Sequence, residues 1–169
     1  MNTRGPTSNP PSPRLRRGNR KMQSSETSKG RQMDAAEASI VVNAPVADVY
    51  QRWLAFEDYP KFINVIKRVR KLDANHFVAS LRFNGKQYEA MLEVMLRVPE
   101  RRLAWRTISN GHRTPPHLAT GVVSFVSDRE RITRITLKLT SSFGGAVSRR
   151  VDTYLRSFKT LIETESARG

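Results

Sequence analysis

The chain has 169 residues, with 30 Lys and Arg against 15 Asp and Glu, a net charge of +15, and no cysteine. That length suits one domain whose core needs no staples, and the missing cysteines exclude a disulfide framework, a Cys-ligated zinc site and thiol catalysis. No run approaches the roughly 18–20 apolar residues of a membrane span: Glu93 and Arg97 interrupt the longest candidate, Met91 to Val98.

Residues 1–36 carry eight basic side chains, from Arg4 to Arg31, against Glu26 and Asp34, so the rest of the chain still holds +9. This Pro- and Ser-rich segment has no Ile, Val, Phe, Tyr or Trp. It cannot bury enough apolar area to offset ordering entropy, and a disordered basic tail is expected. The run Pro13 to Lys21 suits peripheral contact with phosphates of nucleic acid or of an anionic membrane. Pro6, Pro10, Pro11 and Pro13 spoil the amphipathic helix of a transit peptide, and no apolar signal core is present, so a cytoplasmic location is expected.

The folded domain is expected over 37–166. Ala38 to Val42 reads as a first strand, followed by Asn43 as a helix N-cap and Pro45 in the first turn. Val46, Val49, Tyr50, Trp53 and Leu54 fall at helical spacing, which predicts a helix to about Phe56. Glu57 to Ile63 predicts a bend and a second short helix. The period then changes to two. Strands are predicted over Val65–Leu72, Phe77–Phe83, Lys86–Arg97, Arg102–Ile108, Ala119–Val126 and Ile132–Leu139. Asn84-Gly85 is a strong hairpin signal, and Ser109 to His117 is a polar loop. Gly144-Gly145 stops the last strand. Val147, Val151, Tyr154, Leu155, Phe158, Leu161 and Ile162 then mark one face of a long C-terminal helix. The result is an α+β fold: a curved antiparallel sheet of about seven strands wrapped around that helix, with two short helices after the first strand. Such a sheet needs its concave face covered, and a cavity is expected between sheet and helix.

No nucleophile–base triad, Gly-rich phosphate loop or His-Glu metal motif is readable, so no metal site, cofactor or catalytic residue is assigned. The histidines are His76, His112 and His117, the last two on a loop without nearby carboxylates. The candidate ligand-binding residues are Trp53, Phe62, Phe83, Trp105, Arg106, Phe125, Tyr154 and Phe158. The aromatics would pack the core or line the cavity, and Tyr154 would offer its hydroxyl from the covering helix. Arg106 follows Trp105 on one strand, so the two face opposite sides. Facing inward, Arg106 would orient a ketone, quinone or carboxylate oxygen; facing outward, it is a surface arginine. Glu89 and Glu93 share a strand face in the same way. Ala90, Leu92, Val94 and Leu96 form the opposite, core-like face.

Four segments together resemble the polyketide cyclase/dehydrase branch of the START-like, helix-grip (SRPBCC, Bet v 1-like) superfamily, which also holds coenzyme Q-binding START domains. They are Val42-Asn43-Ala44-Pro45-Val46 with Val49, Tyr50 and Trp53; Phe56 to Phe62; Leu103-Ala104-Trp105-Arg106; and Gly121 to Phe125 with Thr133 to Leu137. The resemblance spans about Ala38 to Glu163. It implies the helix-grip fold and three readings of function. The first is binding of a hydrophobic small molecule, a lipid, quinone or polyketide-like compound. The second is an aromatase/cyclase-type enzyme on a polyketide-like substrate. The third, suggested by charge, is a nucleic-acid or ribosome-associated protein.

Overall fold

The computed structural model describes residues 33–109, 118–142 and 149–168, except for the side chains of Phe83 and of residues 166–168. The expected tail up to residue 32, the loop over 110–117 with His112 and His117, and the Gly144-Gly145 stop with Val147 lie outside the described residues. The elements are β1 (Asp34–Val42), α1 (Val46–Leu54), a 3-10 helix (Phe56–Lys61), β2 (Ile66–Lys71), β3 (His76–Phe83), β4 (Lys86–Val98), β5 (Arg102–Ile108), β6 (Ala119–Arg129), β7 (Ile132–Ser141) and α2 (Val151–Arg168).

The seven strands form one curved antiparallel sheet in the order β1-β7-β6-β5-β4-β3-β2. β2 to β7 are a meander of neighbours, and β1 joins beyond β7. The strands that are consecutive in sequence, β1 and β2, therefore sit on opposite edges. α1 and the 3-10 helix make the crossing, α1 touching β6 and β7 and the 3-10 helix touching β2. α2 lies along β1 and reaches β7 and the 3-10 helix. No helix among the described residues is long and apolar enough to cross a membrane.

Local chemistry explains most of these elements. Asn84 and Gly85 both have positive φ, 53° and 74°, as a two-residue type I′ hairpin requires. α1 presents Val49, Tyr50 and Trp53 to the core, one face of a 3.6-residue period. On β7, Thr133, Ile135, Leu137 and Leu139 alternate inward, and the Thr133 hydroxyl donates to the Ala44 carbonyl at 2.8 Å where the chain leaves the sheet.

Three expectations need correction. β1 starts at Asp34 rather than Ala38, because Asp34 to Glu37 continue the ladder against Lys138–Ser141. Asn43 does not cap α1: the N-cap position is Pro45, with no side-chain hydrogen bond, and the Asn43 amide donates instead to Glu163 Oε2 at 2.8 Å. Leu96 does not continue the core face of β4. A bulge between Val94 and Leu96 breaks the alternation and leaves Met95 and Leu96 51% and 40% exposed.

Glu163 belongs to a latch between α2 and the end of β1. Lys159 Nζ donates to Glu163 Oε2 at 2.7 Å and to the Val41 carbonyl at 2.8 Å. Burial works to raise the Glu163 carboxyl, but the hydrogen bonds from Lys159 and the Asn43 amide, with the Lys159 charge, outweigh it and hold the group below its ordinary 4.5. A carboxyl lowered in the native state stabilises the fold above its unfolded value, and that contribution is lost as pH falls through the native value. Glu163→Gln should therefore flatten the loss of stability between neutral pH and the region below 4.5, as measured by urea unfolding at a series of pH values.

Candidate functional site

The curved sheet, α1 and α2 enclose a cavity of about 70 Å³. That is several times the roughly 10–15 Å³ that a single water needs. Strands β2 to β7 contribute through their inward alternation: Ile66 and Val69 on β2, Phe77, Ala79 and Leu81 on β3, Ala90, Leu92 and Val94 on β4, and Trp105 and Thr107 on β5. Ala119, Leu137 and Leu139 continue the wall on β6 and β7. Trp53, Phe56, Tyr59, Ile63 and Tyr154 close it from the helical side. Ala79 and Ala90 are cross-strand partners, so two small side chains face the same space and leave it unfilled.

Among the described residues, the lining contains no carboxylate, histidine, lysine or arginine. Its polar groups are few. The Tyr59 hydroxyl donates to the Trp53 carbonyl at 2.7 Å, and burial pushes this phenol well above its ordinary value. Thr107 Oγ1 accepts from the Ala119 amide at 3.0 Å. Trp53 Nε1 and Tyr154 Oη are buried without a hydrogen-bond partner. Burial also raises the Tyr154 phenol, against the opposing charge of Arg150, so the hydroxyl keeps its proton at neutral pH.

The expected site residues divide. Trp53, Trp105 and Tyr154 line the cavity. Phe62 and Phe158 are buried beside it, packed on each other at 5.1 Å and on Trp53 at 5.1 and 5.0 Å. Phe125 is buried against Tyr50, edge to face at 5.7 Å. These three are core rather than wall. The side chain of Phe83 lies outside the described residues. Arg106 is on the outer face of the sheet, where its Nη2 meets Glu93 Oε1 at 3.0 Å. Trp105 takes the inward side together with Leu103 and Thr107, so strict alternation sends Arg106 outward. Glu93 continues to His76 Nε2 at 3.4 Å, and His76 Nδ1 to Asp73 Oδ1 at 2.8 Å, forming a network on the face of the sheet away from the cavity. The Asp73 hydrogen bond leads in raising the His76 pKa, helped by Glu93 and opposed by desolvation. Reading the sequence missed Phe56 and the small residues Ala79 and Ala90. The alternating strand pattern carried the signal for Ala90, which falls on the face assigned to the core and pairs with Ala79.

A family model described as polyketide cyclase / dehydrase and lipid transport matches residues 42–153. An uncharacterized 17.2 kDa protein of the melC2-rnhH intergenic region of Streptomyces lincolnensis is 29% identical over 143 residues, covering 78% of this chain and 91% of the relative. Among solved structures, a START superfamily protein from Mycobacterium smegmatis superposes with a TM-score of 0.62 at 14% identity, covering 77% of this chain and 97% of that one. The ZhuI aromatase/cyclase from Streptomyces sp. R1128 superposes at 0.55 with 16% identity, covering 80% and 88%. At these identities the solved structures establish the fold.

The position of Trp105 depends on Gly121, its cross-strand partner on β6. A β-carbon on Gly121 would overlap the indole carbons Cζ2 and Cε2 of Trp105, and an indole has no flexible end to give way. Gly121→Ala is expected to push the ring toward the cavity and to cost about 1–3 kcal/mol as overpacking. The checks are urea unfolding and a changed emission maximum from the tryptophans.

Proposed function

The chain belongs to the polyketide cyclase / dehydrase and lipid transport family, and from that premise we propose that it binds a hydrophobic small molecule of lipid, quinone or polyketide type in the cavity between sheet and helices. The observation that carries this reading is the wall itself. Aromatic and aliphatic side chains from six strands, both α-helices and the 3-10 helix converge on one space and leave it unfilled. A void lined by apolar groups costs stability, because its lining loses dispersion contacts. An apolar ligand restores those contacts and leaves water at the same time. At about 70 Å³ the space takes a ring or a short alkyl stretch, well below the roughly 300–1,000 Å³ of drug-sized sites. A longer ligand would need the walls to part.

Binding is favoured over catalysis because the described residues of the wall include no carboxylate or histidine to move a proton, and both lining phenols are held above their ordinary pKa. An aromatase/cyclase would use the same cavity, acting through shape and whatever polar groups face the substrate.

Two measurements test the reading. Mass spectrometry of an organic extract of the full chain should find a hydrophobic compound in stoichiometric amount, or calorimetry should find uptake of small aromatic probes with the negative heat-capacity change of apolar burial. Ala90→Leu thickens the wall at the floor of the cavity and should lower probe affinity by about tenfold or more while the far-UV spectrum stays native. An empty extract together with probes that fail to bind the folded parent would remove the reading. Unchanged affinity in Ala90→Leu would move the ligand elsewhere.

A further inference from the structure

The two edges of the sheet carry opposite charge. β1, at one edge, has Asp34 and Glu37 and no Lys or Arg. β2, at the other, has Lys67, Arg68, Arg70 and Lys71 among its six residues and no carboxylate, and all four side chains are exposed. Its neighbour β3 adds the exposed Arg82 and again no carboxylate. Carboxylates on adjoining elements are engaged with other cations: Asp73 with His76, Glu93 with His76 and Arg106, and Asp58 with Arg52 and Lys61. Glu89 on β4 pairs with Ser80, which stands between it and Arg68. A lysine on an edge strand is a common guard against pairing with another molecule. Four cations around one buried valine go well beyond that need.

The same strand is a wall of the cavity. Ile66 and Val69 line it, while the residues between and after them turn their charges to solvent. The chain then runs on to Leu72, an apolar side chain left 44% exposed beside the cations. Resting on the reading of the cavity as a site for a hydrophobic compound, we propose that the β2 edge is the surface by which this domain docks on an anionic lipid bilayer. Lipid phosphates attract the four cations, whose aliphatic stems and the neighbouring leucine can enter the headgroup layer. The acidic β1 edge is repelled by the same surface, so the charge of the sheet also sets the orientation. A bilayer is where a lipid-like compound accumulates, and docking through β2 brings one wall of the cavity against it. Single-stranded nucleic acid fits the edge less well, since it is gripped by exposed aromatic rings. The large exposed hydrophobic side chains among the described residues are Met33, Leu72, Met95, Leu96 and Val126.

The test uses the full chain and vesicles of phosphatidylcholine with and without phosphatidylglycerol. The chain has no cysteine, so Leu72→Cys places a single environment-sensitive dye at the edge. Val126→Cys, at a 55% exposed position on β6, four strands away, places the control. The dye at position 72 should shift to the blue with anionic vesicles, stay unmoved with neutral ones, and lose its shift at high salt. The dye at position 126 should not respond. Changing Lys67, Arg68, Arg70 and Lys71 together to Gln should weaken vesicle binding by about a hundredfold. Removing as many charges at the exposed Arg129, Arg131, Arg149 and Arg150 should change it by a few-fold at most. Both variants keep the basic N-terminal segment, so its contribution is the same in each. Should the neutral edge self-associate, the labelled parents still decide the matter. Equal weakening in the two variants would show that net charge alone drives binding, and would overturn the proposal. So would vesicle binding with the dye at position 72 unmoved. The same dye shift with single-stranded RNA, persisting at a salt concentration that releases the vesicles, would give the edge to nucleic acid instead. Docking that fails while aromatic probes still enter the cavity overturns this inference alone. Probes that fail while the edge docks remove the cavity reading and leave the docking surface standing.

Discussion

β1 and β2 follow one another in the chain yet lie on opposite edges of the sheet, and a short stretch has to cross from one to the other. α1 spans nine residues and the 3-10 helix six, lengths at which an isolated helix is marginal. What holds the crossing is a knot of aromatic rings. Trp53 meets Tyr59, Phe62 and Phe158 at 5.7, 5.1 and 5.0 Å, and Phe56 lies on Phe77 of β3 at 4.6 Å. The Tyr59 hydroxyl closes the turn back onto the Trp53 carbonyl. These contacts join α1, the 3-10 helix, α2 and the sheet at once. Because the knot fills one part of the concave side with rigid rings, the remaining part stays open as the cavity. Phe62 and Phe158 thus shape the site without lining it.

Much of this was legible because the fold obeys local periods. The change from a 3.6-residue to a two-residue pattern after Ile63 marks where helix gives way to meander, and Asn84-Gly85 fixes a hairpin that needs two positive φ values. Alternation placed Phe77, Ala79 and Leu81 on one face of β3, and Ala90, Leu92 and Val94 on one face of β4. Those are the faces that line the cavity. For β5, alternation established that Trp105 and Arg106 oppose each other but not which of them faces inward. Leu103 and Thr107, both buried, decide it in favour of Trp105.

The parts that could not be read are those that join distant segments or break a period. The Glu163 latch spans 120 positions to the Asn43 amide, and nothing near Asn43 announces that its backbone, rather than its side chain, is the group that matters. The bulge at Val94–Leu96 exposes a leucine that any period-two reading buries. The division of the aromatics into wall and core depends on which rings stack on each other. Composition and spacing treat Trp53 and Phe158 alike, whereas in the fold one faces the open space and the other is shut behind it.

The residues around the cavity look poorly chosen if stability were their only purpose. Ala79 and Ala90 face each other where larger side chains would fill the space, and Gly121 sits inside β6, where a side chain would normally strengthen the strand. Gly121 makes sense only with Trp105, whose indole occupies the volume a β-carbon would take. Tryptophan and tyrosine at positions 53 and 154 bury an N–H and an O–H where phenylalanine would bury neither. Each choice lowers stability a little, and Ala79, Ala90, Trp53, Tyr154 and the Trp105 that Gly121 accommodates all border the same 70 Å³. Local rules tend to be broken together where a structure serves something other than its own folding. Here the breaks keep a space open, stand an indole in its wall and bury two unpaired donors in side chains that border it.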